Sequence, residues 1–366
     1  MHPLGIASEQ DYQHQLAKKT DLTEAEFQSL QPPKLEVFPS PAHSFRMRAE
    51  FKVWYDKESN RAYYAMHEPG VANKPVIISE FTIGSQLIQD LMPRLLEKIN
   101  ASEILLRKLF QAEFLTTTTG ESLITLIYHK PLDSNWREAA EHLATSLQCE
   151  IIGRSRKQKE TIGRDFVTEE MSVAGRTFRY QQVETGFTQP NAAVCEKMLN
   201  WAVDASAGLG GDLLELYCGN GNFTLPLAEN FNKVLATEIS KTSVNSALLN
   251  IRENGVNNVA IARMSSEEFT QALNRERAFR RLKEIDLDSY DFSTLFVDPP
   301  RAGLDEETEA LAARFNNILY ISCNPVTLKQ NLQCLSATHK IAKFALFDQF
   351  PYTEHRECGV LLQRKS

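Results

Sequence analysis

No two cysteines of this chain stand at C-x-x-C spacing. The six are Cys149, Cys195, Cys218, Cys323, Cys334 and Cys358. That spread argues against a zinc ribbon, an iron–sulfur cluster or a disulfide framework, and for a reducing compartment, the cytoplasm. No metal is expected. Long apolar runs are missing too. None approaches the ~20 residues that span a bilayer, so no membrane partner is expected. The opening stretch, MHPLGIASEQDYQHQLAKKT, has no charged region followed by an apolar core, and a signal peptide is not expected. Basic residues are outnumbered by acidic ones, 40 to 47. A net charge of −7 is not the footprint of a generic nucleic-acid binder. Two local stretches run the other way: GRSRKQKETIGR (153–164) and RERAFRRLK (275–283) each set five basic residues against one acid. A solvated face would account for either. There is no internal repeat or low-complexity tract. What remains is an ordinary globular composition, 42% hydrophobic and 24% charged, over 366 residues, enough for two domains.

The two halves have different grammar. In the first, RMRAEFKVWY (46–55) and RAYYAMH (61–67) read as a strand pair turning at DKESN. QAEFLTTTT and SLITLIYH form a second hairpin around Gly120. Between the pairs lies a helical pattern interrupted by Pro93, and after them a helix capped by Asp133 or Ser134. This predicts an α+β domain with an antiparallel sheet over residues 1–180. From Asp212 onward, short apolar strands (213–217, 234–238, 259–263, 294–298, 318–322) alternate with amphipathic stretches. That is the pattern of βαβ units, an α/β Rossmann-like domain over 181–366. Two last strands, 343–347 and 359–363, are too close for a crossover helix and must be mutually antiparallel. A parallel sheet ending in such a hairpin resembles the S-adenosylmethionine-dependent methyltransferase fold.

ELYCGNGNF (215–223) follows the first of these strands. Gly219 and Gly221 permit a sharp turn and close approach of a ligand. Position 224 is Thr and the loop holds no Lys, so neither a dinucleotide fingerprint nor a phosphate cradle is present. Glu238 ends the second strand, where a carboxylate can accept both hydroxyl hydrogens of a ribose. The combination suits a nucleoside without pyrophosphate, such as S-adenosylmethionine. A cap for the helix after Ser240 is the plainer alternative for Glu238. Gln189, before Pro190-Asn191, can reach a cofactor carboxylate or amine, or be no more than a helix start.

Cys323 ends the fifth strand. A free cysteine is often simply buried. Here, however, ligands bind outside the carboxyl ends of the strands. Asp298, in VDPPRAG, shares that edge. Glu357 precedes the last strand and, with that strand antiparallel to the fifth, faces Cys323. A thiol and a carboxylate meeting across a methyl donor suit methylation at carbon 5 of uracil. The thiolate adds to carbon 6, carbon 5 becomes nucleophilic, and a base removes the carbon-5 proton.

FTQPN, ELYCGNGNF, DPPRAG, SCNP and HRE, in this order from Phe187 to Glu357, closely resemble the motif set of the RNA (uracil-5-)-methyltransferases, tRNA branch. The resemblance implies Cys323 as nucleophile and Glu357 as proton acceptor. It implies Gln189, Tyr217, Asn222, Glu238 and Asp298 as S-adenosylmethionine contacts. It also implies a monomer acting on a T-loop uridine of tRNA and on transfer-messenger RNA (tmRNA). The cysteine-ligated cluster of the ribosomal-RNA relatives is not expected, because the first cysteine is Cys149. In the N-terminal half, basic residues flank aromatics. Arg46, Arg48 and Lys52 are expected on RNA phosphates and Phe110 on a displaced base, although such rings can equally be core.

Rival readings are weaker. Amino-methyltransferases carry an aromatic after Asp-Pro-Pro, where this chain has Arg301, and need no thiol. Cytosine-5 enzymes carry a second cysteine after a proline. An enzyme acting on ribosomal RNA, or an RNA-folding module on the same fold, remain the alternatives.

Overall fold

The computed structural model describes residues 4–67 and 75–365. Its C-terminal sheet has eight strands in the spatial order Glu36–Phe38, His339–Phe347, Glu357–Arg364, Asn317–Ser322, Phe292–Val297, Asp212–Leu216, Val234–Thr237, Val259–Ala262. The five strands from Asn317–Ser322 to Val259–Ala262 pair in parallel. Glu357–Arg364 pairs antiparallel with both its neighbours, as expected from the short final connection. These strands read as apolar runs because they are covered on both faces. Alternate residues sort to the two sides. Leu214, Leu216, Leu295, Val297, Ile318 and Tyr320 enter one core. Leu213, Phe296, Leu319 and Ile321 enter the other. Strand order reverses beside Asp212–Leu216, which puts a crevice at the carboxyl ends there.

The N-terminal sheet has seven strands, in the order Pro75–Ile78, Arg61–His67, Arg48–Asp56, Leu109–Thr116, Ser122–Tyr128, Glu150–Ser155, Gln158–Ile162. Both expected hairpins are present. One pair, Ser122–Tyr128 with Glu150–Ser155, is parallel, because helix Ser134–Leu147 makes the crossover between them. Asp133 caps that helix by accepting from the Trp136 amide. The helix expected to be interrupted at Pro93 is continuous from Gln86 to Asn100. Its face of Ile88, Leu91, Met92, Leu95 and Ile99 is buried against the sheet, and this packing outweighs the one amide that proline lacks.

Packing does not divide at residue 180. Strand Glu36–Phe38 pairs in parallel with His339–Phe347 and extends the C-terminal sheet. Helix Glu9–Phe27 also lies on that sheet, with Phe27 5.0 Å from Phe344 between ring centres. The hairpin Phe166–Val173 with Arg176–Val183 buries Met171, Val173, Phe178 and Tyr180 against helix Ala192–Ser206. Burial of these apolar side chains moves both segments to the C-terminal side of the boundary expected from composition. No helix among the described residues is long and apolar enough to cross a membrane.

Candidate active site

The chain turns sharply after the strand Asp212–Leu216. Tyr217, Gly219 and Gly221 all have positive φ, at 63°, 57° and 83°. A Cβ on Gly221 would sit 2.9 Å from Leu225 Cδ1, so glycine there also allows the following helix to pack. Nothing lies within 4 Å of the place a Cβ on Gly219 would occupy, which leaves that face of the loop open. Glu238 locks the turn from the next strand. Its Oε2 accepts from the Gly219 amide at 3.0 Å and its Oε1 from the Ser240 amide at 2.7 Å. The helix cap is Ser240 itself, which accepts from Ser243. Glu238 is therefore no helix cap. Two backbone amides hold its carboxylate at the wall of a cavity of about 700 Å³.

The same cavity is lined by Gln189, Tyr217, Asn222, Asp298, Cys323 and Glu357. All seven residues expected at the catalytic and cofactor site thus share one wall. Asn222 is held by its main chain, whose carbonyl accepts from Tyr180 Oη at 3.0 Å, and by its side chain against Cys195 Sγ at 3.4 Å. The Tyr217 hydroxyl bonds Ser266 Oγ at 2.8 Å, so its ring rather than its oxygen is left for a ligand.

Register explains how Cys323 meets Glu357. Ser322 is paired with Cys358 across antiparallel strands. The next residue outward on each strand is Cys323 on one and Glu357 on the other. Asn324 caps the helix Pro325–Leu335 and donates to the Arg301 carbonyl at 2.9 Å, which ties the cysteine turn to the Asp-Pro-Pro-Arg turn. Burial pushes the Cys323 thiol above its ordinary pKa, and the carboxyls of Glu357 and Asp298 push it further; the Arg301 guanidinium opposes them. Burial likewise raises Glu357, which is 2% exposed, well above the carboxylate range, and Asp298 adds to this. Asp298 itself is pushed up to about 7 by desolvation.

Several lining residues were given no site role from the sequence, Glu215, Phe187, Arg301 and Phe350 among them. Glu215 is buried in its strand with neither carboxylate oxygen hydrogen-bonded, and burial raises it to about 8. An acid inside the apolar run LLELY was the available signal. Phe187, 74% exposed, stands at the cavity rim, where an unburied phenylalanine needs a reason. Arg301 and Phe350 also line the cavity. A cavity of this size with Glu215, Asp298 and Glu357 on its wall fits a cationic nucleoside donor, since a positive sulfonium and ammonium would meet several carboxyls there.

The RNA-facing expectations divide. Phe51 is core at 1% exposed, but Phe110 is 38% exposed. Lys52 Nζ lies 4.0 Å from the Phe110 ring centre, and His129 meets the same ring edge-on at 4.4 Å. Arg48 does not offer its guanidinium to a phosphate. It donates to the carbonyls of Gly186 at 2.8 Å and Glu184 at 2.5 Å, joining the N-terminal sheet to the segment that carries Gln189. Arg46 is partly buried, and its main chain bonds Ile83 and Ser85. Neither pairing was visible in the sequence, because both partners are more than 30 residues away.

A doubly wound sheet, a glycine turn locked by an acid, and a thiol and a carboxyl on one cavity wall are the frame of an S-adenosylmethionine-dependent methyltransferase. The family model for tRNA (Uracil-5-)-methyltransferase matches residues 11–365. The chain belongs to that family, whose reaction is methylation of tRNA uracil at carbon 5. It is 62% identical over 363 residues to the tRNA/tmRNA (uracil-C(5))-methyltransferase of Saccharophagus degradans, covering 99% of both chains. It is 60% identical over 361 residues to that of Teredinibacter turnerae, again covering 99% of both. The crystal structure of Pyrococcus abyssi tRNA (uracil-54, C5)-methyltransferase in complex with S-adenosyl-L-homocysteine shares the fold, with a TM-score of 0.73 at 21% identity over 96% of this chain and 83% of that one.

Proposed function

We propose that this enzyme methylates carbon 5 of the T-loop uridine of tRNA, and the equivalent uridine of tmRNA, with Cys323 as nucleophile and Glu357 as base. The observation that carries the reading is the register of the two antiparallel strands, which brings thiol and carboxyl to one cavity wall. The names of the relatives support the two RNA substrates.

Gln189, Tyr217, Asn222, Glu238 and Asp298 would hold S-adenosylmethionine, with Glu238 on the ribose. The donor supplies an electrophilic methyl group. Cys323, as thiolate, adds to carbon 6 of the ring, and the carbon-5 to carbon-6 π electrons move to make carbon 5 nucleophilic. Carbon 5 then takes the methyl and still carries its hydrogen. Glu357, ionised, removes that hydrogen as a proton. The electrons of the carbon–hydrogen bond re-form the ring double bond, and the carbon–sulfur bond breaks to return the thiolate. Carboxyls crowding Cys323 raise its pKa, so the thiolate is favoured only once a cation enters the cavity and offsets their charge.

Replacing Cys323 with Ala tests this directly. Methylation should vanish in a folded protein that still binds RNA. Wild-type enzyme with 5-fluorouridine at the target should form a denaturation-resistant adduct, because fluorine does not leave as a proton does. Residual turnover by Cys323→Ala would end the reading.

A further inference from the structure

We propose that the N-terminal helix Glu9–Phe27 is a positioning element for the proton-removal step, acting on Gln189 and Glu357 through a Lys19–Asp348 pair and a Glu26–Arg356 pair. The inference rests on the Cys323/Glu357 reading above and adds a device to it. The helix grips both ends of segment 348–356. At the near end, Lys19 Nζ donates to Asp348 Oδ1 at 2.7 Å and to the Phe350 carbonyl at 2.9 Å, while Gln15 Nε2 donates to Asp348 Oδ2 at 2.8 Å. Lys19 is 4% exposed and Asp348 1%. At the far end, Arg356 donates to Glu26 Oε2 at 2.7 Å and to Thr23 Oγ1 at 3.2 Å.

What lies between these grips belongs to the cavity. Gln349, beside Asp348, donates to Gln189 Oε1 at 2.6 Å, although the two are 160 residues apart in sequence. Phe350 lines the cavity, and Glu357 follows Arg356. A buried lysine–carboxylate pair is a poor way to gain stability, because desolvation of both charges offsets their attraction, and a well-packed apolar pair often does as well. Directional hydrogen bonds are what the charged pair adds. They fix the peptides on either side of Asp348, and through them the Gln189 amide. Reaction geometry is sensitive at that scale. The helix is thus bonded to the residue just before the base and to the residue just before the partner of Gln189.

The test compares Lys19→Met, the double variant Lys19→Met/Asp348→Leu, Glu26→Gln and Glu357→Gln with wild type. Melting temperature, S-adenosylmethionine affinity and single-turnover formation and decay of the methylated protein–RNA adduct are measured. Lys19→Met should lose stability, since it strands a buried carboxylate. The double variant should regain stability but bind the donor more weakly, because Gln189 is no longer fixed. Its adduct should still form but decay about 10- to 100-fold more slowly. Glu26→Gln should slow decay in the same direction with wild-type melting. Wild-type adduct decay in both the double variant and Glu26→Gln would make the pairs purely structural and overturn the proposal. If Glu357→Gln itself accumulates no adduct, the underlying Cys/Glu reading fails instead.

Discussion

Glu357 and Asp298 illustrate how a residue's surroundings set its task. Both carboxyls are raised by burial, and Asp298 adds to the rise at Glu357. A base of raised pKa holds the abstracted proton well. Glu357→Gln should therefore permit addition and methyl transfer but stall at release. A methylated, denaturation-resistant adduct should build up while turnover drops roughly 10²–10⁴-fold. Normal turnover without adduct would leave the carboxyl a structural role only. Asp298 makes a stability prediction. Its folded value of about 7 lies above the ordinary 3.8. At low pH both folded and unfolded states carry the proton. As pH rises, the unfolded chain releases it first, so stability is lost between about pH 4 and 7. Asp298→Asn cannot titrate. In donor-free protein its melting temperature should match wild type near pH 4 and exceed it by roughly 3 °C or more at pH 8. A gap that does not change with pH would sink this account. Cys323, Glu357 and Asp298 were legible in the sequence because each stands at a strand end. Glu215 was not, since a lone acid in an apolar run carries no sign of whether its oxygens find partners.

At the scale of elements, the site is a row of strand ends. The glycine turn, the Glu238 end and the Asp-Pro-Pro end are all local in sequence, and alternation of apolar runs with helices placed them correctly. Helix Gln86–Asn100 shows the opposite case, where a proline signal was outweighed by packing that only the folded sheet supplies. Arg48 is similar. Charge and aromatic neighbours suggested RNA, while its actual partners are carbonyls of residues 184 and 186. Glu238 belongs to this scale because it links two strand ends through the Gly219 amide. Glu238→Ala should raise the KM for S-adenosylmethionine about 10- to 100-fold, the loss of hydrogen bonds to a charged group. The KM for tRNA should change much less. Unchanged donor affinity in a folded variant would reduce Glu238 to a lock for the turn.

Over the whole molecule, an acidic protein presents an exposed aromatic, Phe110, under a lysine. A folded-loop uridine must leave its stack to reach Cys323, at a cost of a few kcal/mol. Phe110, with Lys52 Nζ 4.0 Å from its ring centre, is the ring proposed to hold a displaced base. Stacking of this kind is worth ~1–3 kcal/mol, so Phe110→Ala should weaken tRNA binding about 5- to 150-fold with unchanged melting and donor affinity. Binding of the wild type should also fall steeply with salt despite the net charge of −7. A variant that melts early yet binds tRNA normally would return the ring to the core. The two large sheets, one mainly antiparallel and one mainly parallel, were readable from periodicity. The path of the first forty residues was not, because a three-residue strand and a weakly amphipathic helix carry little periodic signal.

That path has a bearing on biogenesis. Strand Glu36–Phe38 covers the outer edge of His339–Phe347, roughly three hundred residues later in the chain. On the ribosome, the early segment must wait for nearly the whole protein before its partner emerges. Contacts of such long sequence separation form late and slowly. Until the two segments pair, the sheet ends in an uncapped strand of nine residues, HKIAKFALF, whose last four are fully buried when folded. An open edge of that length invites pairing with another chain. The short N-terminal strand is, in this light, a stopper against aggregation as well as a part of the sheet, and any fragment that omits it inherits the open edge.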